Sequence, residues 1–402
     1  MTAPLRLGLD LRWLQRAWLK APTGALGGMG IFAQNLVRGL AEAEEPPRLV
    51  ALVDHGPVPE PLTTLVAAIP GSEIRACGLS GLWPRMDRRR KYAHLMHLIE
   101  TESGFGMARA LRGLDVLHML DHTPPPRAAR CPTVVTLHEF YDWVRQGWAV
   151  YRALCRRMTR ADEVVGVSAV VAEDFAAHHA LGRTRISHVH NGIDLSRFEP
   201  EAGRGDGERL RGLGLPARYL LHAGVMTHRK NPEGIFGAMG RLRAEGLDPP
   251  PLVSAGAYGA VPGALATIRG IAAANGVADR LIVLEKGASP DEMASLYRGA
   301  VGLVFPSHTE GFGLPAVEAL ACGTPCVVSN RSALPEVTGD LGILVAPADP
   351  ADIARGIRRL IEDDGHRARV AAEGPAWAQR FSCRAMAEGY LAVYRALAKG
   401  AT

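Results

Sequence analysis

Two glutamates eight positions apart, Glu310 and Glu318, bracket a glycine-broken stretch in HTEGFGLPAVEALACGTPCVVSNRSALPE, residues 308–336. The apolar run 301–306 reads as a strand, 310–313 as a loop, 314–322 as a helix and 324–329 as a second strand. Pro315 falls in the first turn of that helix, where proline is best tolerated. Such a loop brings unpaired backbone N–H groups and the positive end of a helix dipole to one point, which is an anion site. Gly311, Phe312, Gly313 and Leu314 would line it with backbone, the glycines admitting a ligand where a side chain would intrude. Carboxylates next to an anion site repel the anion unless they hold something else, and the neutral hydroxyls of a sugar are suited to them. Phosphate and sugar hydroxyls together describe a nucleotide sugar.

Other residues could serve the same chemistry. Arg229 and Lys230 follow an apolar strand that ends at Gly224, placed to neutralise a departing diphosphate. The chain has only five lysines, at 20, 91, 230, 286 and 399, so a compact ammonium beside Arg229 stands out. His138 follows the strand TVVTL and precedes Glu139; at a strand's carboxyl end it could bond a sugar hydroxyl or polarise the attacking group. His118 and Asp121, in DVLHMLDH, and Asp10, after the first strand, are weaker candidates for acceptor contacts. GALGGMGIF (residues 24–32) opens a helix expected over 31–43. Its glycines at 24, 27 and 30 depart from the dinucleotide fingerprint, which disfavours a nicotinamide dehydrogenase.

These residues need a scaffold. Strand-like runs at 5–11, 48–53, 116–120, 133–137, 163–167 and 186–190 alternate with helical ones. So do those at 219–223, 251–255, 281–284, 302–306, 324–329 and 342–345. The pattern predicts an α/β protein of two doubly wound parallel sheets, binding ligands beyond the carboxyl ends of their strands. The polar segment EPEAGRGDGE (199–208) is the expected linker, between a domain at 1–198 and one at 209–382.

Bulk properties narrow the class. The chain has 402 residues, a net charge of +5 and six cysteines without metal-ligand spacing, which reads as a cytoplasmic protein with buried thiols and no zinc. It has no apolar run near eighteen residues. Arg85, Arg88, Arg89, Arg90 and Lys91 precede an apolar stripe at 95–98. Their expected role is either a solvated helix end or contact with anionic headgroups, a peripheral association at the inner membrane face. Arg152, Arg156, Arg157 and Arg160 form a second cluster. Nucleic acid is disfavoured, since no aromatic interleaving or recognisable module accompanies the basic residues.

The Glu310/Glu318 segment resembles the Glu-x7-Glu motif of retaining GT-B glycosyltransferases, the large family with mannosyl-, glucosyl- and N-acetylglucosaminyltransferases. Four further segments resemble that family in its order: TVVTLHEF (133–140), ADEVVGVSAVVAEDF (161–175), HVHNGIDLSRF (188–198) and HAGVMTHRKNPEGIF (222–236). The resemblance implies a GT-B fold, with two Rossmann-like domains facing a cleft and the final helix (383–402) returning to the first domain. It implies that Glu318 holds the donor ribose and Glu310 contacts the transferred sugar. It implies that Gly27, Gly28 and Gly30 close on the donor phosphates, and that Leu284 and Glu285 in VLEKG belong to the loop that reads the nucleobase. Relatives often carry an arginine where Val225 stands, which shifts phosphate compensation toward Arg229, Lys230 and the helix at Leu314. The implied reaction transfers a hexose with retention, without cofactor or metal, to a glycan, lipid-linked or small-molecule hydroxyl. The first half most resembles mannosyltransferases of polysaccharide assembly, favouring GDP-mannose over a UDP-sugar used by a glucosyl- or N-acetylglucosaminyltransferase. A binding protein descended from such an enzyme is the alternative of another class; intact Glu310, Glu318, Arg229 and Lys230 speak against it.

Overall fold

The computed structural model describes residues 4–20, 26–78, 106–139, 155–201 and 205–400. The basic run 85–91, Arg152 and Gly24 lie outside them. The chain divides into two compact units, Met1–Gly192 with Cys383–Thr402, and Ile193–Ser382.

Among the described residues, the first unit holds seven strands, β1 (Arg6–Asp10), β2 (Arg48–Asp54), β3 (Glu73–Cys77), β4 (Val116–Met119), β5 (Thr133–Leu137), β6 (Glu163–Gly166) and β7 (Arg185–His188). They pair in parallel in the order β3-β2-β1-β4-β5-β6-β7. In β2, Leu49, Ala51 and Val53 enter one apolar cluster while Val50 and Leu52 enter another. Alternate side chains thus feed two cores, as expected of a parallel sheet covered on both faces. The helices Gly28–Ala41 and Cys383–Gly400 pack together over the first core, to which the latter adds Met386, Tyr390, Leu391 and Tyr394. At Gly39 the backbones meet so closely that a Cβ would lie 1.9 Å from the Cys383 carbonyl oxygen.

Two elements go beyond the sequence pattern. The edge strand β3, EIRAC, carries Glu73 and Arg75, which mask its apolar alternation. The approach to the glycine stretch contains a helix, Arg12–Lys20, seated by Leu11, Leu14 and Trp18, all buried.

The second unit repeats the plan with β8 (Leu220–Ala223), β9 (Leu252–Ala255), β10 (Leu281–Leu284), β11 (Gly302–Phe305), β12 (Cys326–Ser329) and β13 (Gly342–Val345), in the order β10-β9-β8-β11-β12-β13. All pairs are parallel. The helices Pro232–Ala244 and Pro350–Glu362 pack on each other, as do Leu314–Ala321 and Asp364–Ala378. The end of the expected linker is helical instead, because Asp206 starts the helix Asp206–Gly212. Its carboxylate accepts from Arg298 at 2.6 and 2.8 Å and from Ser295 at 2.6 Å. Residues 193–198 likewise belong to this second unit rather than the first.

Both sheets therefore reverse their order beside the first strand, between β1 and β4 and between β8 and β11. At such a switch point successive crossovers leave for opposite faces and open a crevice at the strands' carboxyl ends. Among the described residues, no helix is long and apolar enough to cross a membrane.

Candidate functional site

In the second unit, β8 exits through Gly224 at φ +95°, and a Cβ on Gly256 would lie 2.6 Å from the Gly224 carbonyl carbon. Glycine at both places lets the exits of β8 and β9 run side by side. The chain then forms a short 3-10 turn, His228–Lys230, and reaches Asn231 in the left-handed region (φ 61°, ψ 50°). The Asn231 side chain caps the helix Pro232–Ala244, accepting from the Gly234 N–H at 3.0 Å. Its amide donates to the carbonyls of Pro306 (3.1 Å) and Pro347 (2.7 Å). One buried side chain thus fixes the β8 turn to the exits of β11 and β13. An asparagine before a proline at a helix start is a capping signal that the sequence offers.

This latch brings three of the expected residues together. Lys230 donates to Glu310 at 2.6 Å and Arg229 at 3.0 Å. Burial opposes the charge on Glu310, but Lys230 and Arg229 outweigh it and hold the carboxyl below its ordinary range. Lys230 also lies 4.1 Å from the Phe305 ring centroid, a cation–π contact. The His308 N–H donates to the Arg229 carbonyl at 2.9 Å, and the Glu310 N–H to the Ser332 hydroxyl at 3.0 Å. Beneath them, on β8, fully buried His222 donates to the Val304 carbonyl at 2.9 Å. Burial and nearby Lys230 lower its pKa to about 4. It therefore stays neutral and adds no charge to the cluster. The two cations and one carboxylate leave an excess positive charge at the switch point.

Beyond Glu310, Gly311 and Phe312 are buried, and Phe312 packs edge-on against Phe381 at 5.6 Å, so only its backbone is available to a ligand. Gly313 sits at φ +99° against Leu334, and the helix Leu314–Ala321 starts from it with no side-chain cap. Glu318, half-buried on that helix, accepts from the Tyr297 hydroxyl at 2.7 Å. Burial raises its pKa to about 7, against the opposing pull of the Tyr297 bond and of Arg197. The two glutamates of one motif are thus tuned in opposite directions. Leu284 ends β10, two strands from the switch point. The Leu284 and Glu285 carbonyls accept from Gly287 and Tyr258, and the Glu285 side chain pairs with Arg269 at 2.7 Å.

The first unit balances the charges at its switch point, where Arg12 pairs with Asp10 and Arg16 with Asp54. The residues lining a recess there include Asp10, Arg12, Trp13, Arg16, Met29 and Asp121. Asp10 is engaged by Arg12, at 2.9 Å from Nε and 2.6 Å from Nη2, and both side chains are buried. Asp121 accepts from the Thr123 N–H at 3.0 Å. Gly27 caps the helix Gly28–Ala41 with no side-chain bond, and space around Gly28 is open. Gly30 packs beneath Trp13. His138 donates from Nε2 to the Leu120 carbonyl at 2.7 Å, a tautomer that leaves Nδ1 an acceptor. Burial, with His122 nearby, lowers its pKa to about 4.

His118 requires a correction. It is wholly buried, with Nδ1 2.6 Å from the Tyr394 hydroxyl and Nε2 2.7 Å from Thr136 Oγ1. Both nitrogens are occupied inside the core, so it is a packing residue and not an acceptor contact. In the basic cluster, Arg160 donates to the Pro125 carbonyl at 3.3 Å.

Two family models match the chain, Glycosyltransferase Family 4 over residues 26–197 and Glycosyl transferases group 1 over residues 212–377. A D-inositol 3-phosphate glycosyltransferase of Salinispora arenicola is 30% identical over 92% of this chain and 88% of its own length. One from Streptomyces bingchenggensis is 33% identical over 60% of this chain, a match spanning only about half, 54%, of that relative. Among solved structures, an alpha,alpha-trehalose-phosphate synthase (UDP-forming) from Burkholderia vietnamiensis superimposes with a TM-score of 0.74 at 17% identity, over 99% of each chain. With its two doubly wound parallel units, the chain belongs to glycosyltransferase family 4, the group 1 glycosyl transferases of the GT-B fold class.

Proposed function

We propose that this glycosyltransferase moves a hexose from a nucleotide sugar to a polyol or glycan hydroxyl with retention of anomeric configuration. The observation that carries the reading is the Arg229–Lys230–Glu310 cluster at the second switch point, with Glu318 one helix beyond. Its excess positive charge suits a diphosphate whose negative charge grows as the glycosidic bond breaks. Glu318, once ionised, can accept both hydroxyls of a ribose, each charge-assisted bond contributing roughly 1.5–3 kcal/mol. Glu310 is held anionic by its two cations and can accept a hydroxyl of the transferred sugar.

Among the described residues, no carboxylate other than Glu310 pairs with Arg229 or Lys230, and Glu310 is already bound on both oxygens, which disfavours it as a nucleophile for double displacement. Retention then proceeds by attack on the face the diphosphate leaves. The acceptor oxygen bonds to the anomeric carbon as the carbon–oxygen bond to phosphate breaks, and a phosphate oxygen takes the acceptor's proton. Arg229 and Lys230 supply charge compensation in this scheme without calling on a metal. In the first unit, the Nδ1 of His138 offers an acceptor for a substrate hydroxyl.

The GDP-mannose favoured by sequence resemblance competes here with a UDP-hexose. The UDP-forming neighbour tilts the donor toward uridine, and the inositol-phosphate relatives tilt the acceptor toward a polyol or its phosphate. The protein is to be incubated with UDP-glucose, UDP-N-acetylglucosamine or GDP-mannose and a polyol phosphate. Nucleoside diphosphate release is measured, and the product's anomeric configuration is read by NMR. An α-linked product from an α-linked donor is expected; a β-linked product would overturn the retaining scheme.

A further inference from the structure

A glutamate side chain has three rotatable bonds, and a carboxylate that must accept two vicinal hydroxyls needs a fixed plane. Glu318 sits on a helix of only eight residues. Among the described residues, the hydroxyl of Tyr297 is the one hydrogen-bond partner of its carboxylate, at 2.7 Å from Oε2.

Tyr297 is well suited to hold that carboxylate. It lies on the helix Pro290–Gly299, which starts with a reciprocal capping box between Ser289 and Glu292 and a proline in its first turn. The side chain is wholly buried, its ring edge-on to Phe198 at 5.9 Å, and its carbonyl accepts from Thr324 Oγ1 at 2.8 Å. A rigid aromatic stem therefore presents one donor to one carboxylate oxygen. The phenol's proton is committed to Glu318, since burial and the adjacent carboxylate hold the phenol well above its ordinary range.

We infer that Tyr297 is the positioning residue of the donor site, fixing Oε2 of Glu318 so that Oε1 and the second lone pair of Oε2 meet the two ribose hydroxyls. This rests on the proposed role of Glu318. The other groups facing Glu318 are Arg197, from the segment after β7, and Cys322 on its own helix, with the Arg298–Asp206 pair beyond Cys322. Arg197 is already shared between Asp291 (3.3 Å) and Asp194 (3.7 Å). Cys322 is held in its neutral thiol form by burial. Neither replaces the phenol as a directed donor.

A tyrosine that merely pinned two helices would leave ligand affinity and its pH dependence alone. A positioning donor would not, because its bond favours the ionised carboxylate. The test titrates UDP, with GDP in parallel, into wild type, Tyr297→Phe and Glu318→Ala across a pH series, with apo thermal midpoints as the check on folding. Tyr297→Phe is expected to bind about tenfold more weakly below neutral pH and to move the affinity midpoint up by about one unit. Site-specific 3-fluorotyrosine at 297, a stronger donor of the same shape, is expected to move that midpoint down, and it keeps the test open if Tyr297→Phe folds poorly. Wild-type affinity and midpoint in both variants, with binding lost in Glu318→Ala, would overturn the role of Tyr297 alone. Unchanged binding in Glu318→Ala would overturn the donor-site reading itself.

Discussion

The two sheets share one strand order, yet their switch points are furnished differently. At β8/β11 two cations and a buried carboxylate face one another, latched by Asn231 to the ends of neighbouring strands. At β1/β4 the cations are paired off, Arg12 with Asp10 and Arg16 with Asp54, and Trp13, Met29, Asp121 and Thr123 are among the other residues that line the recess. The first arrangement suits a ligand of high fixed charge, such as a diphosphate. The second suits a ring of hydroxyls with an apolar face. One architecture thus supplies two kinds of site because loops after the strands, and not the strands, carry the chemistry.

The sharpest way to break this contrast is Lys230→Ala. Removing a preorganised cation that faces developing charge should lower turnover on the order of 10²–10³-fold, measured as nucleoside diphosphate release at saturating donor. A near-normal rate would leave the second switch point without its assigned chemistry. His118→Ala probes the other side. Losing a buried imidazole bonded to Tyr394 and Thr136 should cost about 2–5 kcal/mol of stability, read by chemical denaturation, while nucleoside diphosphate affinity stays unchanged. A selective change in acceptor KM would restore His118 as a site residue.

Smaller effects separate the glycines. Gly256→Ala drives a methyl into the Gly224 backbone and should destabilise by about 1–3 kcal/mol. Gly28→Ala meets open space at a helix start and should alter stability by under about 1 kcal/mol. Denaturation midpoints of the two variants settle the comparison.

A further effect is one of pH. Glu318 binds ribose hydroxyls best as a carboxylate, and its pKa stands near 7. Donor affinity should therefore rise as pH increases through neutrality and fall by up to tenfold per unit below it. Because that folded-state pKa lies above the ordinary carboxyl value, the same ionisation also costs apo-protein stability as pH rises through this range. His138, with a pKa near 4, stays neutral from about pH 5 to pH 8 and contributes nothing to that limb. A flat affinity profile across neutrality would contradict the environment described for Glu318.

Much of the charged site is legible in the sequence because it is compressed into short segments. Arg229 and Lys230 adjoin one strand end, and Glu310 to Glu318 span a single loop and helix. What escapes is the support. Tyr297 lies in an amphipathic helix, where a tyrosine reads as ordinary core until the position of Glu318 is known. Arg12 lies on the helix Arg12–Lys20, whose place reads as loop because the glycine stretch beyond it draws attention to itself. His118 misleads for the converse reason. It stands near a strand end, but its register opposite Leu9 places it inside the sheet, where Tyr394 of the distant final helix meets it. Strand periodicity finds β4, while a partner 276 residues away is invisible to it. The edge strand β3 is hidden by Glu73 and Arg75, whose charges are tolerated only because an edge is solvated.

The central claim is that the second unit binds a nucleoside diphosphate through Glu318 and the Arg229–Lys230 pair. Its most direct test is a thermal-shift series with UDP, GDP and ADP on wild type and Glu318→Ala, where ligand at 100 times its dissociation constant adds roughly 2.7 kcal/mol. Selective stabilisation of the wild type by one of the three, absent in Glu318→Ala, is the predicted result. No stabilisation by any of them, or an equal shift in the variant, would contradict it.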